Sequence, residues 1–248
     1  MNKYLLNISM FLSAIALSAG VMASGDKHWS YSGHTGPSHW KTLHSSFATC
    51  GSGKNQSPVN LTNMIEGDLP AIKFNYHSGG NEILNNGHTV QVNYKAGNLI
   101  TVDDQAFELK QFHFHSPSEN TIDNQAYPME AHLVHADKEG NLAVIAIMFK
   151  QGAKNNELEK AWALMPEKSG KKHQLTDMVD INKLLPVNHD YYRFNGSLTT
   201  PPCTEGVKWI VMKTIVTASK KQLEKFSQTM RHPNNRPIQP LNARMVLQ

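Results

Sequence analysis

Three histidines have types and spacing that suit a metal site. His113 and His115 are two residues apart in a strand-like segment, Phe107 to His115. Side chains alternate between the two faces of a strand, so both imidazoles share one face. His132 lies in a second strand-like run, Ala131 to Ala136, and a neighbouring strand would place it opposite the first pair. Three neutral imidazoles leave one tetrahedral position open, which is typical of catalytic zinc.

Two polar residues have the parity to support these imidazoles. Gln111 precedes His113 by two residues, and Glu130 bears the same relation to His132. Each therefore shares a face with its histidine and is predicted to fix the tautomer and orientation of that imidazole. His135 has the opposite parity to His132 and is predicted to be structural. Two histidines at this spacing, taken alone, are more often hydrogen-bonded or exposed side chains than metal ligands. Only the surrounding residues favour a metal site at His113 and His115.

The elements that must position these residues are mainly strands. Short alternating runs are separated by turn signals, and the continuously apolar run Leu142 to Phe149 is typical of a buried central strand. Helices are predicted only at Asn156 to Leu164 and at Lys220 to Met230, with Ser219 as the N-cap of the second. The predicted fold is mainly β (α+β), a single domain built on a large twisted, mostly antiparallel sheet with short peripheral helices. The further predicted strands are Ile72 to Tyr76, Thr89 to Tyr94, Leu99 to Val102 and Lys208 to Val216.

Composition excludes several classes of protein. The 248 residues are 40% hydrophobic and 18% charged, which is too apolar for intrinsic disorder. The net charge is only +4, and the tightest basic cluster, Lys168, Lys171 and Lys172, is interpreted as a solvated loop. Nucleic-acid partners are therefore not expected, since such proteins concentrate positive charge on one face. The unusual counts are thirteen histidines and two cysteines.

The N-terminal segment is typical of a secretory signal peptide. Lys3 supplies a positive charge, an apolar stretch runs from Leu5 to Val21, and Val21-Met22-Ala23 fits a cleavage site. Residues 1–23 are predicted to be removed, leaving 24–248 as the mature catalytic domain. The alternative is a membrane anchor, but the strongly apolar part is short of the ~20 residues that a span needs. No membrane span is expected in the mature chain, and its location is predicted to be periplasmic or secreted.

Export changes the interpretation of the two cysteines. An oxidising compartment permits disulfides, and Cys50 and Cys203 can form one bridge. Two buried free thiols are the alternative. Neither cysteine has a second one nearby at the spacing of a zinc site.

Five motifs, in this order along the chain, resemble those of the α-class carbonic anhydrases of the exported bacterial type. They are Gln56-Ser57-Pro58-Val59-Asn60-Leu61, Asn85-Asn86-Gly87-His88, Gln111-Phe112-His113-Phe114-His115, Glu130-Ala131-His132-Leu133-Val134-His135 and Asn195-Gly196-Ser197-Leu198-Thr199-Thr200-Pro201-Pro202-Cys203. The resemblance extends from about His28 to Pro237, nearly the whole mature chain.

The resemblance implies a zinc lyase that hydrates CO₂ reversibly to bicarbonate and a proton. One Zn²⁺ per chain would be bound by His113, His115 and His132, and zinc-bound hydroxide would attack CO₂. Thr199, hydrogen-bonded to Glu119, would orient that hydroxide. The other implied roles are proton shuttling by His88, a place in the active-site solvent network for Tyr31, and substrate binding by Thr199, Thr200, Val134, Val144, Leu198 and Trp209.

The resemblance also implies inhibition by sulfonamides and anions, and weak esterase activity. The alternatives are a non-catalytic member of the same fold, a zinc hydrolase and a general zinc-binding protein. All three candidate ligands are present, which disfavours the first, and no His-Glu-x-x-His motif supports the second. A homodimer, the turnover rate and the physiological role are left open by the sequence.

Overall fold

The computed structural model describes residues 28–248, and the predicted signal peptide lies outside them. Among these residues, no helix is both long enough and apolar enough to cross a bilayer. The strands described are β1 (Asn60–Leu61), β2 (Lys73–Asn75), β3 (Gly80–Asn85), β4 (Val90–Tyr94), β5 (Leu99–Val102), β6 (Gln105–His115), β7 (Thr121–Ile122), β8 (Met129–Ala136), β9 (Leu142–Gln151), β10 (Lys171–Val179), β11 (Tyr191–Ser197), β12 (Glu205–Met212) and β13 (Val216–Ala218). The helices described are α1 (Trp40–Leu43), α2 (Thr49–Ser52), α3 (Asn156–Ala163), α4 (Ile181–Leu184) and α5 (Lys220–Met230).

One large sheet organises the described residues. Its strand order is β10-β3-β4-β6-β8-β9-β12-β11, with β5 pairing β6, β2 pairing β5 and β13 pairing β9. All of these pairs are antiparallel except β9 with β12 and β9 with β13. The prediction of a mostly antiparallel sheet with short helices is therefore confirmed.

The sheet has a different apolar cluster on each face. Phe112 and Phe114 of β6 belong to the larger cluster, where the Phe114 ring packs edge-on against Trp162 of α3 at 4.8 Å between centroids. The opposite face of the central strands contributes Val144 and Trp209 to a second cluster. Strand β9 supplies residues to both clusters and is buried from residue 143 to 149, as its continuous hydrophobicity predicted.

The two longer helices begin with well-formed caps. The Asn155 side chain accepts the first free N–H groups of α3, and Ser219 forms a capping box with Gln222 at the start of α5. Both helices pack on the larger apolar cluster, because the Trp162 ring and Phe226 lie in it. The bounds and the N-cap predicted for α5 are those of the structure.

Some sequence interpretations were wrong in detail. Lys171 and Lys172 are not in a loop but begin the edge strand β10, where the Lys172 Nζ lies 3.1 Å from a carboxylate oxygen of Glu82. Most of β10 is exposed, so it lacks the alternation that identifies a half-buried strand. The predicted run Lys208 to Val216 is interrupted after Met212, and β13 then pairs with β9 separately.

A disulfide joins the N-terminal helices to a loop of the sheet, as predicted. Cys50 in α2 is bonded to Cys203, and both lie in a small apolar cluster with Trp40 and Phe47. Cys203 directly follows the loop that carries Thr199, so the bridge attaches that loop to the N-terminal segment.

Candidate metal centre

The pairing of β6 with β8 brings the three histidines together. His113 lies directly opposite His132 across the two strands, and His115 lies opposite Glu130. One ligand atom from each imidazole lies within 4.8 Å of the other two. The ring centroids are 5.1 Å apart for His113 and His115, 5.3 Å for His113 and His132, and 4.5 Å for His115 and His132.

A hydrogen bond engages one nitrogen of each imidazole. These bonds join Nδ1 of His113 to Oε1 of Gln111 (2.9 Å), Nδ1 of His115 to the backbone oxygen of Asn234 (2.6 Å), and Nε2 of His132 to Oε1 of Glu130 (2.9 Å). All three partners are acceptors, so the engaged nitrogens carry the ring protons. The lone pairs therefore lie on Nε2 of His113, Nε2 of His115 and Nδ1 of His132.

These free nitrogens fit a metal ion. Among residues 28–248, the Nε2 atom of His115 is buried without a hydrogen-bond partner, which is costly for a polar atom unless something else binds it. Burial lowers the pKa of all three imidazoles, and neighbouring imidazoles add to the effect for His113 and His132. The neutral form that a metal requires is therefore the favoured one. Three nitrogen donors with no carboxylate among them suit zinc.

Glu130 anchors this cluster to the following loop. Its Oε2 accepts the backbone N–H groups of Glu119 and Asn120 at 2.7 and 2.8 Å. Its Oε1 accepts the Asn120 side-chain amide at 2.7 Å in addition to the ring N–H of His132. Burial raises the pKa of Glu130, and the hydrogen bonds from Asn120 oppose that effect. The carboxyl group thus fixes both a candidate ligand and the backbone beside Glu119.

Glu119 itself is buried next to the free nitrogens. Its Oε2 lies 3.5 Å from Nε2 of His115 and 3.9 Å from Nδ1 of His132. Its Oε1 accepts the backbone N–H of Arg236 at 2.8 Å, while Oε2 is buried and has no hydrogen-bond partner in the described part of the chain. Burial raises the pKa of Glu119 to about 8, and the Thr199 hydroxyl is the strongest of the groups that lower it.

An apolar wall stands beside the imidazoles. Val144 and Trp209 are buried in the second apolar cluster, and Val134 and Leu198 pack against it. The Trp209 ring lies 4.8 Å from that of His132, and its Nε1 donates to the Ser197 backbone oxygen at 3.0 Å. The predicted substrate-binding side chains are therefore grouped along one side of the metal cluster. The remaining predicted residue, Thr200, is half-buried and follows the buried Thr199.

His88 stacks on one ring of an aromatic group formed by Trp29 and Tyr31. Its imidazole is half-buried and stacks on Trp29, with centroids 3.8 Å apart and planes inclined by 11°. Tyr31 packs edge-on against Trp29, and the charge of Glu119 adds to the burial that raises the Tyr31 pKa. The Tyr31 hydroxyl is therefore within electrostatic reach of Glu119.

Sequence reasoning missed two residues that hold the site. Asn234 binds His115 through its backbone oxygen, and Arg236 binds Glu119 through its backbone N–H. The buried Arg236 guanidinium also donates to the backbone oxygens of Ser57 (2.7 Å) and Cys50 (2.8 Å). Both residues fall just before Pro237, where the resemblance ends, but the resemblance predicted no contact for either.

Fold and site together define a cluster of three histidines that could hold a metal ion, on a large, mostly antiparallel sheet. A family model described as eukaryotic-type carbonic anhydrase matches residues 35–248. The chain is 46% identical over 239 residues to the carbonic anhydrase of Pectobacterium atrosepticum, covering 96% of this chain and 98% of that protein. It is 48% identical over 240 residues to the carbonic anhydrase of Neisseria gonorrhoeae, covering 96% and 94%.

A solved structure of similar fold supports the same family. The α-carbonic anhydrase from Thermovibrio ammonificans, in complex with the inhibitor sulfanilamide, superposes with a TM-score of 0.89 at 50% sequence identity. The match covers 90% of this chain and 100% of that one. The chain belongs to the α-class carbonic anhydrase family.

Proposed function

We propose that this chain catalyses the reversible hydration of CO₂ to bicarbonate and a proton. The observation that carries the proposal is the convergence of three neutral imidazole nitrogens whose opposite nitrogens are each held by a hydrogen bond. This arrangement lies beside a wall of apolar side chains, as an apolar substrate requires.

His113 and His115 through Nε2, and His132 through Nδ1, would hold one Zn²⁺. A zinc ion with three neutral ligands keeps its full positive charge, and so makes water at its open position acidic enough to supply a nucleophile near neutral pH. The chain's part is to fix the three rings. Gln111, Asn234 and Glu130 do this by fixing the ring protons.

Thr199 and Glu119 are proposed to orient the attacking oxygen. If Glu119 is ionised, its free Oε2 is purely an acceptor and takes the Thr199 hydroxyl proton in a hydrogen bond. The Thr199 oxygen is then left with lone pairs only, and it accepts from the nucleophile and aims it. Burial alone favours the protonated form of Glu119, whereas a cation bound by His115 and His132 would favour the carboxylate.

The apolar wall is proposed to bind CO₂. Val134, Val144, Leu198 and Trp209 present hydrocarbon and ring surface, which suits a small apolar molecule and disfavours water there. Thr200, next to Thr199, is proposed to contact the more polar product.

His88 is proposed to carry the product proton away. Its imidazole has no side-chain hydrogen bond among residues 28–248 and is held by stacking on Trp29. Burial, and then the charges of His28 and His232, lower its pKa from 6.5, so a proton on His88 is readily passed on.

Stopped-flow measurement of CO₂ hydration by the purified mature protein tests the proposal. We expect activity that a zinc chelator removes and added Zn²⁺ restores, and inhibition by an aromatic sulfonamide such as the one bound to the Thermovibrio ammonificans enzyme. Hydrolysis of an activated ester is expected to be weak and to disappear with the metal. Zinc binding without CO₂ hydration would contradict the proposal and favour a zinc-binding protein.

Export is proposed on separate grounds. The Cys50–Cys203 disulfide is the kind of bond that persists in oxidising compartments. N-terminal sequencing of the protein from the periplasmic or secreted fraction should give Ser24 as the first residue. A chain that still begins at Met1 and sediments with membranes would contradict both export and the predicted cleavage.

A further inference from the structure

A second histidine lies near His88 and has no part in the proposed function. His232 follows the end of α5 by two residues, and it is exposed. Its ring centroid lies 6.3 Å from that of Tyr31, which packs on the Trp29 ring that also supports His88. His232 is therefore an exposed neighbour of the Trp29–Tyr31 aromatic group on which His88 stacks.

The segment that carries His232 is firmly held. Nδ1 of His232 is 3.0 Å from the backbone oxygen of Pro233, so Nδ1 carries the ring proton and Nε2 offers its lone pair. Two residues later, the Asn234 side-chain amide donates to the backbone oxygen of His88 at 3.1 Å. The backbone oxygen of Asn234 accepts from His115. Residues 232–234 are thus fixed relative to both the candidate metal site and the turn with His88.

The charge of His232 acts on His88. Burial is the main cause that lowers the pKa of His88, and the charges of His28 and His232 lower it further. A proton on either exposed ring therefore disfavours a proton on His88. Of these two rings, His232 is the one with a ring neighbour in the aromatic group and a backbone anchor beyond it.

His232 also lines a surface cleft. The cleft has a volume of about 340 Å³ and lies between the turn at Gly87, the loop at Ser169 and the end of α5. Its charged lining groups besides His232 are Glu167, Lys168 and Arg231. The carbonyl end of a helix carries partial negative charge, and this favours a cation at the end of α5. The cleft gives a protonated His232 direct access to water and dissolved buffer.

We propose that His232 is a second proton-relay group that receives protons from His88. A proton leaves the His88 imidazolium through bridging water and is bound by Nε2 of His232. His232 then releases it to water or to a buffer base, and both rings return to the neutral form. No electrons are transferred. This inference rests on the proposed function, because CO₂ hydration is the source of the proton.

Kinetics of four proteins test the relay: wild type, His88→Ala, His232→Ala and the double variant. At low buffer concentration, His232→Ala should lower kcat several-fold, leave kcat/KM for CO₂ unchanged, and be rescued by added imidazole. Because the relay runs through His88, the double variant should be no slower than His88→Ala. His39→Ala is the control, since His39 is also exposed but its ring neighbours His34. A wild-type kcat in His232→Ala, or multiplying losses in the double variant, would overturn the relay.

A second measurement needs no activity. Titration of the ring protons by NMR should show a higher pKa for His88 in His232→Ala than in the wild type and His39→Ala, because a like charge has been removed. An unchanged pKa would refute the coupling. If the wild type does not hydrate CO₂, the proposed function fails, while this titration still reports whether the two rings interact.

Discussion

His132 and His135 lie on the same strand, and both are buried, yet they are held in different ways. On β8 their side chains point to opposite faces of the sheet. His135 has partners for both ring nitrogens: the Tyr76 hydroxyl at 2.6 Å from Nε2 and the Ala143 backbone oxygen at 3.3 Å from Nδ1. His132 has one such partner, Glu130 at Nε2, and its Nδ1 faces the other two candidate ligands.

This difference separates a structural histidine from a candidate ligand when other properties do not. Burial lowers the pKa of both His132 and His135, so both are neutral near pH 7. Exposure is also similar, at 2% and 0%. What distinguishes them is their hydrogen bonds and their neighbours: both nitrogens of His135 are engaged by protein groups, whereas His132 has one engaged nitrogen and lies beside two other imidazoles.

The largest effect on zinc binding and activity is expected from replacing His132, compared with replacing His135. His132→Ala removes a candidate zinc ligand, so zinc retention and CO₂ hydration should fall by more than about 100-fold, beyond what loss of an outer hydrogen bond costs. His135→Gln should keep zinc and most activity while losing stability. Metal analysis and stopped-flow assays of both variants make the comparison. Full zinc content in His132→Ala would remove the distinction between the two residues.

A smaller effect is expected in the pH dependence of stability, to which His135 contributes together with other buried titratable groups. Burial lowers its pKa from 6.5 to about 4, so between these values the unfolded chain binds more protons than the folded one. The part of the stability that His135 contributes should therefore rise with pH from about 4 to 6.5 and level off above. The contribution of His135 reaches about 3 kcal/mol.

Urea unfolding of the metal-free protein at several pH values checks this prediction. His135→Gln should have a flatter profile than the wild type over that range, since Gln does not titrate. Tyr76→Phe is the control, because it removes a hydrogen-bond partner of His135 but leaves the titrating ring. Parallel profiles for wild type and His135→Gln would show that His135 is not held neutral by the fold.

The smallest effect is expected from the hydrogen bonds behind the ligands. Gln111→Ala removes the acceptor for Nδ1 of His113 and should weaken zinc affinity about 10-fold. Gln174→Ala, on the exposed edge strand β10, is the matched control and should leave the affinity unchanged. Competition with a chelator of known affinity measures both. Equal affinities would mean that the Gln111 bond does not fix the ring.

The local part of this organisation could be predicted from the sequence. Alternation within β6 is a property of neighbouring residues, so it predicted that Gln111 and His113 share a face and that Phe112 faces the other way. The capping signals of α5 are equally local. The continuous hydrophobicity of β9 was enough to place that strand in the centre of the sheet.

The features of the site and the sheet that the sequence did not predict depend on contacts between residues far apart in the chain. His115 binds the backbone oxygen of Asn234, 119 residues later, and nothing about a backbone carbonyl marks it in a sequence. The edge strand β10 pairs with β3 through backbone groups while its side chains stay exposed, so its pattern is that of a loop. The stacking of His88 on Trp29 likewise joins two segments that have no common pattern.

A crystal structure of the zinc-loaded protein, with anomalous scattering at the zinc edge, tests the central claim most directly. We predict one zinc peak per chain, about 2.0–2.1 Å from Nε2 of His113, Nε2 of His115 and Nδ1 of His132, with one position open to solvent. His135 should keep both of its hydrogen bonds and make no contact with the metal. A peak elsewhere, or coordination through the nitrogens that Gln111, Asn234 and Glu130 engage, would contradict the account.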